Sequence, residues 1–105
     1  MSTLRTELIA RLARLNVDYR PVSGREDGFA GLWFGGKAFA HFHNDNELDI
    51  RLTAAIIERE GLVHPAGSVH HPKRSMKSPW IEVRFTTPAH LERVVQLVKL
   101  AMGEV

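Results

Sequence analysis

Two histidines two residues apart, His41 and His43, are the side chains of this chain best placed to do chemistry. Residues two apart on a strand project from the same face, so one strand would present both imidazoles side by side. Glu47 and Asp49 follow at the same spacing. Imidazole beside carboxylate fixes a tautomer and raises ligand basicity. Such a pair serves a metal site, an oriented general base or a cross-strand ion pair. Two histidines do not complete a zinc site, which takes three or four protein ligands. His64, His70 and His71 are the candidates for the remainder, and the metal set read from the sequence is His41, His43 and His71.

The elements that must position these residues are a three-stranded meander. Apolar and aromatic residues over 29–34 give a strand. Gly35-Gly36 then closes a hairpin, because glycine accepts the positive φ that such turns require. A second strand covers 37–43, Asn44-Asp45-Asn46 turns the chain, and a third strand covers 47–52 with Leu48, Ile50 and Leu52 alternating against Glu47, Asp49 and Arg51. The two turns predict a register. Trp33 faces Ala38, Gly31 faces Ala40 and Phe29 faces Phe42; beyond the second turn His43 faces Glu47, Phe42 faces Leu48 and Ala40 faces Ile50. One apolar face results: Phe29, Gly31, Trp33, Ala38, Ala40, Phe42, Leu48, Ile50 and Leu52. The other carries Ala30, Leu32, Phe34, Lys37, Phe39, His41, His43, Glu47, Asp49 and Arg51.

Around the meander, Ser2 or Thr3 can cap a first helix over 4–15 whose stripe is Leu4, Leu8, Ile9, Leu12 and Leu15, with Arg5 off it and Asn16 as its stop. A short strand over 17–22 contains Pro21, which suits a sheet edge. Thr53 caps a short helix over 54–60, ended by Gly61. In the strand over 80–85, Ile81, Val83 and Phe85 face the core while Trp80, Glu82 and Arg84 face the other way. Thr87-Pro88 opens the last helix, which runs to about 102. The 62–79 segment, with its prolines and basic residues, reads as a long loop, and the polar face is either left open or partly roofed by it. The expected fold is one α+β domain over 1–105, in the order α-β-β-β-β-α-β-α. A mainly antiparallel sheet of about five strands has two long helices packed on one face.

Composition narrows the function classes. The chain has 105 residues, 44% hydrophobic and 25% charged, enough for a single core. It has no cysteine, which excludes disulfides, thiolate metal sites and cysteine nucleophiles. No apolar run approaches the roughly 20 residues needed to span a membrane, no signal peptide is visible, and a cytoplasmic location is expected. No P-loop, dinucleotide fingerprint or nucleophile elbow is present. The net charge of +2 permits nucleic-acid binding without arguing for it.

The run Phe34-Gly35-Gly36, His41-Phe42-His43, Leu48-Asp49-Ile50, His70-His71 and Ser78-Pro79-Trp80-Ile81-Glu82-Val83-Arg84, followed by a leucine- and valine-rich helix, resembles a small bacterial and fungal family of unknown function called the luciferase domain. The resemblance covers about 29–101 and implies the fold. More distantly, the chain is similar to MmcQ/YjbR-like domains, some of them described as DNA-binding.

Three functions compete on this reading. The first is a ligand-binding module whose polar sheet face and 62–79 loop form a pocket for a small anionic molecule, lined by His41, His43, Asp49, Arg51, His70, His71, Trp80 and Arg84. The second is a metal-dependent or acid–base enzyme using His41, His43 and Asp49, with a divalent metal as its cofactor. The third is a binding surface for a macromolecule. Either Arg51, Arg84 and Trp80, extended by Lys73, Arg74 and Lys77, hold nucleic acid, or the aromatic face closes a homodimer.

Overall fold

Thr3 starts the first helix: its hydroxyl accepts a hydrogen bond from the Thr6 amide at 3.1 Å. In the computed structural model, which describes residues 3–24, 28–63 and 77–103, this helix is α1 (Leu4–Ala13). It ends at Ala13 with Arg14 as its C-cap, and the turn beyond places Asn16 at a left-handed φ of 65°. The sheet is built from β1 (Asp18–Pro21), β2 (Ala30–Phe34), β3 (Lys37–Asn44), β4 (Glu47–Arg51) and β5 (Trp80–Arg84). Its order is β1-β2-β3-β4-β5, with every neighbouring pair antiparallel. The short α2 (Ala54–Arg59), capped by Thr53, lies between β4 and β5, and α3 (Pro88–Gly103) completes the chain. The α+β class and the element order are those expected, and Pro21 lies on an edge strand.

The helices cover one sheet face. Leu8 and Leu12 of α1 and Leu91, Val94, Leu97, Val98 and Ala101 of α3 are buried with Phe42, Leu48, Ile50 and Ile81 from the strands. Each large side chain withdrawn fully from water contributes about 1.5–3 kcal/mol. Phe42 meets Phe85 and Tyr19 edge-on, both with ring centroids 6.2 Å away.

Arg5 departs from its expected place off the apolar stripe. It falls three residues before Leu8 and so shares the buried side of α1, at 8% exposure. Its guanidinium lies 4.4 Å from the Phe42 ring centroid. It donates hydrogen bonds to the Gly28 carbonyl, to the Asn44 carbonyl at 3.3 Å and to the Tyr19 hydroxyl at 2.9 Å. One side chain thus ties α1 to β1, to the segment entering β2 and to the end of β3.

The meander register is corrected at two bulges. Phe34↔Lys37 and Trp33↔Ala38 pair as expected, with Gly35 and Gly36 both at positive φ in the turn. The register then shifts between Leu32 and Trp33, so that Leu32 pairs with Ala40, Gly31 with His41 and Ala30 with Phe42. Phe39 is the extra residue on β3. The exchange sends Ala30, Leu32 and Phe39 into the core, at 0%, 0% and 1% exposure, and moves Phe29 and Gly31 to the outer face with His41. The bulge thus exchanges Phe29 and Trp33, which line the outer groove, for Leu32 and Phe39 in the core.

At the second turn Asn44, not His43, pairs with Glu47, and the loop is Asp45-Asn46. The Asn44 side chain accepts a hydrogen bond from the Asn46 amide at 2.8 Å, which closes the turn. His41↔Asp49, Phe42↔Leu48 and Ala40↔Ile50 hold as expected.

Candidate functional site

The outer face of the sheet, opposite the helices, carries a compact group of ionisable side chains. His41 and His43 come from β3, Glu47 and Asp49 from β4, and Glu82 and Arg84 from β5. Cross-strand pairing sets His41 beside Asp49, Asp49 beside Glu82 and Glu47 beside Arg84. His41 Nε2 lies 3.0 Å from His43 Nε2 and 3.4 Å from Asp49 Oδ2. The other ring nitrogen of His43, Nδ1, faces Glu82 Oε1 at 3.6 Å. These residues are largely withdrawn from water. The Asp49 and Glu82 side chains are each 1% exposed and that of His43 is 5% exposed; His41, at 23%, is the member that reaches the surface.

Glu47 closes the group at its rim, with Arg84 Nε 3.7 Å from its Oε1. Hydrogen bonding with the Glu82 carboxyl, then burial, pushes the Glu47 carboxyl above its ordinary range; Asn44 and Arg84 pull against that shift. One ligand atom from each of His41, His43 and Asp49 lies within 4.8 Å of the others, and the same holds for His43, Glu47 and Glu82.

His41 also ends an aromatic groove of about 380 Å³, lined by Arg20, Pro21, Val22, Phe29, Gly31, Trp33, Ala38, Ala40, His41 and Trp80. The imidazole packs against Phe29 on one contact, centroids 5.1 Å apart, and Trp80 on another, 5.4 Å apart. Arg20 lies 4.2 Å over the Trp33 ring and pairs with Asp18 at 3.5 Å. The Gly31 position is tight, because a Cβ there would come 3.1 Å from Trp33 Nε1. A side chain there would make the indole shift by a few tenths of an ångström.

Of the residues singled out from sequence, His41, His43, Asp49 and Trp80 come together. Arg84 is held by Glu47 at the edge of the group. Arg51 is exposed and lines a separate hollow of about 200 Å³ with Lys37, Thr53 and Pro79. His70 and His71, and with His71 the third member of the sequence-read metal set, lie outside the described residues, as do His64, Lys73 and Arg74. The expected His43–Glu47 strand pairing is replaced by an approach of His43 to Glu82.

Sequence reasoning missed four contributors, among them Trp33, which it placed on the apolar face but which lines the groove. Glu82 carried a signal, since the alternation over 80–84 put it on the face of Trp80 and Arg84. Phe29 was hidden by the bulge, which reversed its face. Arg20, in a short edge strand, carried no signal that set it apart.

A five-stranded antiparallel meander with helices on one face and a buried histidine–carboxylate group on the other defines a small α+β domain. Residues 36–101 match the family model described as Luciferase domain, and the chain belongs to that family. No curated protein and no solved structure matches it. The comparison bears out the first of the two resemblances and says nothing of MmcQ/YjbR-like domains. Among the described residues, no helix is long and apolar enough to cross a membrane.

Proposed function

We propose that this domain is a ligand-binding module whose ligand is a small planar molecule carrying an anionic group, seated in the groove between β1, β2 and β3. The observation that carries this reading is the lining: Phe29, Trp33, Trp80 and the His41 imidazole gather round one groove of about 380 Å³. Pockets of this size suit small organic ligands, and aromatic walls favour flat ones. Arg20 gives the groove a guanidinium, already stacked on Trp33, to meet a carboxylate or phosphate. His41 gives it a group that can donate or accept a proton. The cation assigned to the anion is thus Arg20 in place of Arg51 and Arg84. The nucleic-acid alternative gains less, since neither Arg84 nor Arg51 lines the groove and Arg51 lines another hollow.

The two tryptophans of the chain, Trp33 and Trp80, both line this groove, so intrinsic fluorescence reports on it directly. A panel of aromatic carboxylates, matched aromatic amines and aliphatic acids should give saturable quenching by the first group. Arg20→Ala should weaken the carboxylates more than the amines, and Trp33→Ala should weaken both. Absence of saturable quenching across the panel overturns the reading. So does a concentration-dependent dimer that itself shields both indoles and excludes the ligands.

A further inference from the structure

We propose that His41, His43 and Asp49 form a mononuclear site for a divalent first-row transition metal, zinc being the first candidate, with Glu82 orienting the His43 ring from behind.

The two distances measured from His41 are compatible with the ligand separations of a coordination shell. Zinc bonds of about 2.0–2.1 Å in a tetrahedron set neighbouring ligand atoms roughly 3.3–3.4 Å apart. His41 Nε2 lies 3.4 Å from Asp49 Oδ2 and 3.0 Å from His43 Nε2. These values bracket the tetrahedral edge, and small side-chain rotations open the shorter one. The 3.4 Å separation, by contrast, is long for a charge-assisted hydrogen bond, which runs about 2.7–2.9 Å.

A second observation is independent of the first. A metal-binding histidine usually directs its other ring nitrogen at a carboxylate or carbonyl, which fixes the tautomer. His43 is disposed for this: with Nε2 turned to His41, its Nδ1 faces Glu82 Oε1 at 3.6 Å, a gap that a small side-chain shift would close to a hydrogen bond. The alternative grouping of His43, Glu47 and Glu82 is less suited to a metal, because Arg84 already lies 3.7 Å from Glu47.

The donors are also held in place. His41 and Asp49 are paired across the ladder, which fixes their relative positions, and His43 stands two residues on along the same strand at the bulge. Asp49 and His43 are buried, and His41, 23% exposed, connects the site to the surface and to the groove. Two imidazoles and one carboxylate suit zinc, iron(II) or copper(II), and suit magnesium or calcium poorly, because these prefer all-oxygen shells. Three protein ligands leave a coordination position for water or a ligand atom. Binding through both Nε2 atoms requires the neutral His41 ring to carry its proton on Nδ1, a tautomeric shift with no net proton released.

The test is zinc titration of untagged full-length protein by isothermal calorimetry. One zinc per chain is expected. His41→Ala, His43→Ala and Asp49→Asn should each weaken it at least about tenfold, and Glu82→Gln about 10–100-fold with the stoichiometry unchanged. A His70→Ala/His71→Ala double variant should bind as the parent does. Absence of stoichiometric binding overturns the proposal. So does binding that survives Asp49→Asn and His43→Ala yet is lost in the His70/His71 variant. Cobalt(II) added to the parent protein keeps the proposal testable if a variant fails to fold. Intense visible bands of a four- or five-coordinate ion support the site, and the weak spectrum of the aquo ion counts against it.

Discussion

His41 Nε2 and His43 Nε2 meet at 3.0 Å on one strand. Two neutral imidazoles can do this only in complementary tautomers, one donating an N–H and the other accepting. Glu82, facing the Nδ1 of His43, decides between them. A proton on His43 Nδ1 points at the carboxylate, which leaves His43 Nε2 as the acceptor and makes His41 the donor. Long-range proton–nitrogen NMR of the metal-free protein at neutral pH should therefore show His43 protonated at Nδ1 and His41 at Nε2. Finding the same tautomer in both rings would refute the assignment.

The bulge between Leu32 and Trp33 predicts an asymmetry between neighbours that a straight strand would reverse. Leu32 is fully buried, whereas Phe29 lines the groove. Leu32→Ala should cost about 2–5 kcal/mol, the range for truncating a core leucine. Phe29→Ala should cost well under that and should weaken groove ligands. Urea unfolding of both variants, read with fluorescence quenching, checks the pair.

Arg5 is a buried clip. Its loss leaves the Gly28 and Asn44 carbonyls and the Tyr19 hydroxyl short of a donor and takes away the cation over Phe42. Arg5→Ala should lower stability by about 2–3 kcal/mol, the scale for removing a charged hydrogen-bond partner from a buried site. Arg5→Lys should recover little of this, since a single ammonium cannot reproduce the planar fork. Equilibrium denaturation distinguishes the two outcomes.

Acid sensitivity has one identifiable source at the junction of α2 and α3. Arg93 Nη1 donates to Glu60 Oε1 at 3.1 Å, and this hydrogen bond holds the Glu60 carboxyl below its ordinary value of 4.5. The folded chain then takes up this proton less readily than the unfolded one. The contribution is fully present above pH 4.5 and is lost as pH falls through the folded-state value. The gap in melting temperature between the parent and Glu60→Gln should be widest near neutrality and should shrink progressively below pH 4.5. A gap independent of pH would assign the effect to something other than the charge.

What the sequence determined by itself was local. Gly35-Gly36 and Asn44-Asp45-Asn46 marked the two turns, Thr3 and Thr53 marked helix starts, and the alternation in 47–52 and 80–85 assigned faces that the structure keeps. That was enough to place His41, His43 and Asp49 on one face and to pair His41 with Asp49. The tertiary structure decided the rest. Alternation reports which way a side chain points within its own strand, but it does not report a bulge, which here exchanges Phe29 and Trp33 for Leu32 and Phe39 in the core. The pairing of Asp49 with Glu82 likewise joins strands separated by α2 and a long connection, so no turn fixes its register. Packing of Ile81 and Phe85 in the core sets that register, and through it brings Glu82 behind His43. The ionisable group on the outer face is thus positioned by apolar contacts made on the inner one.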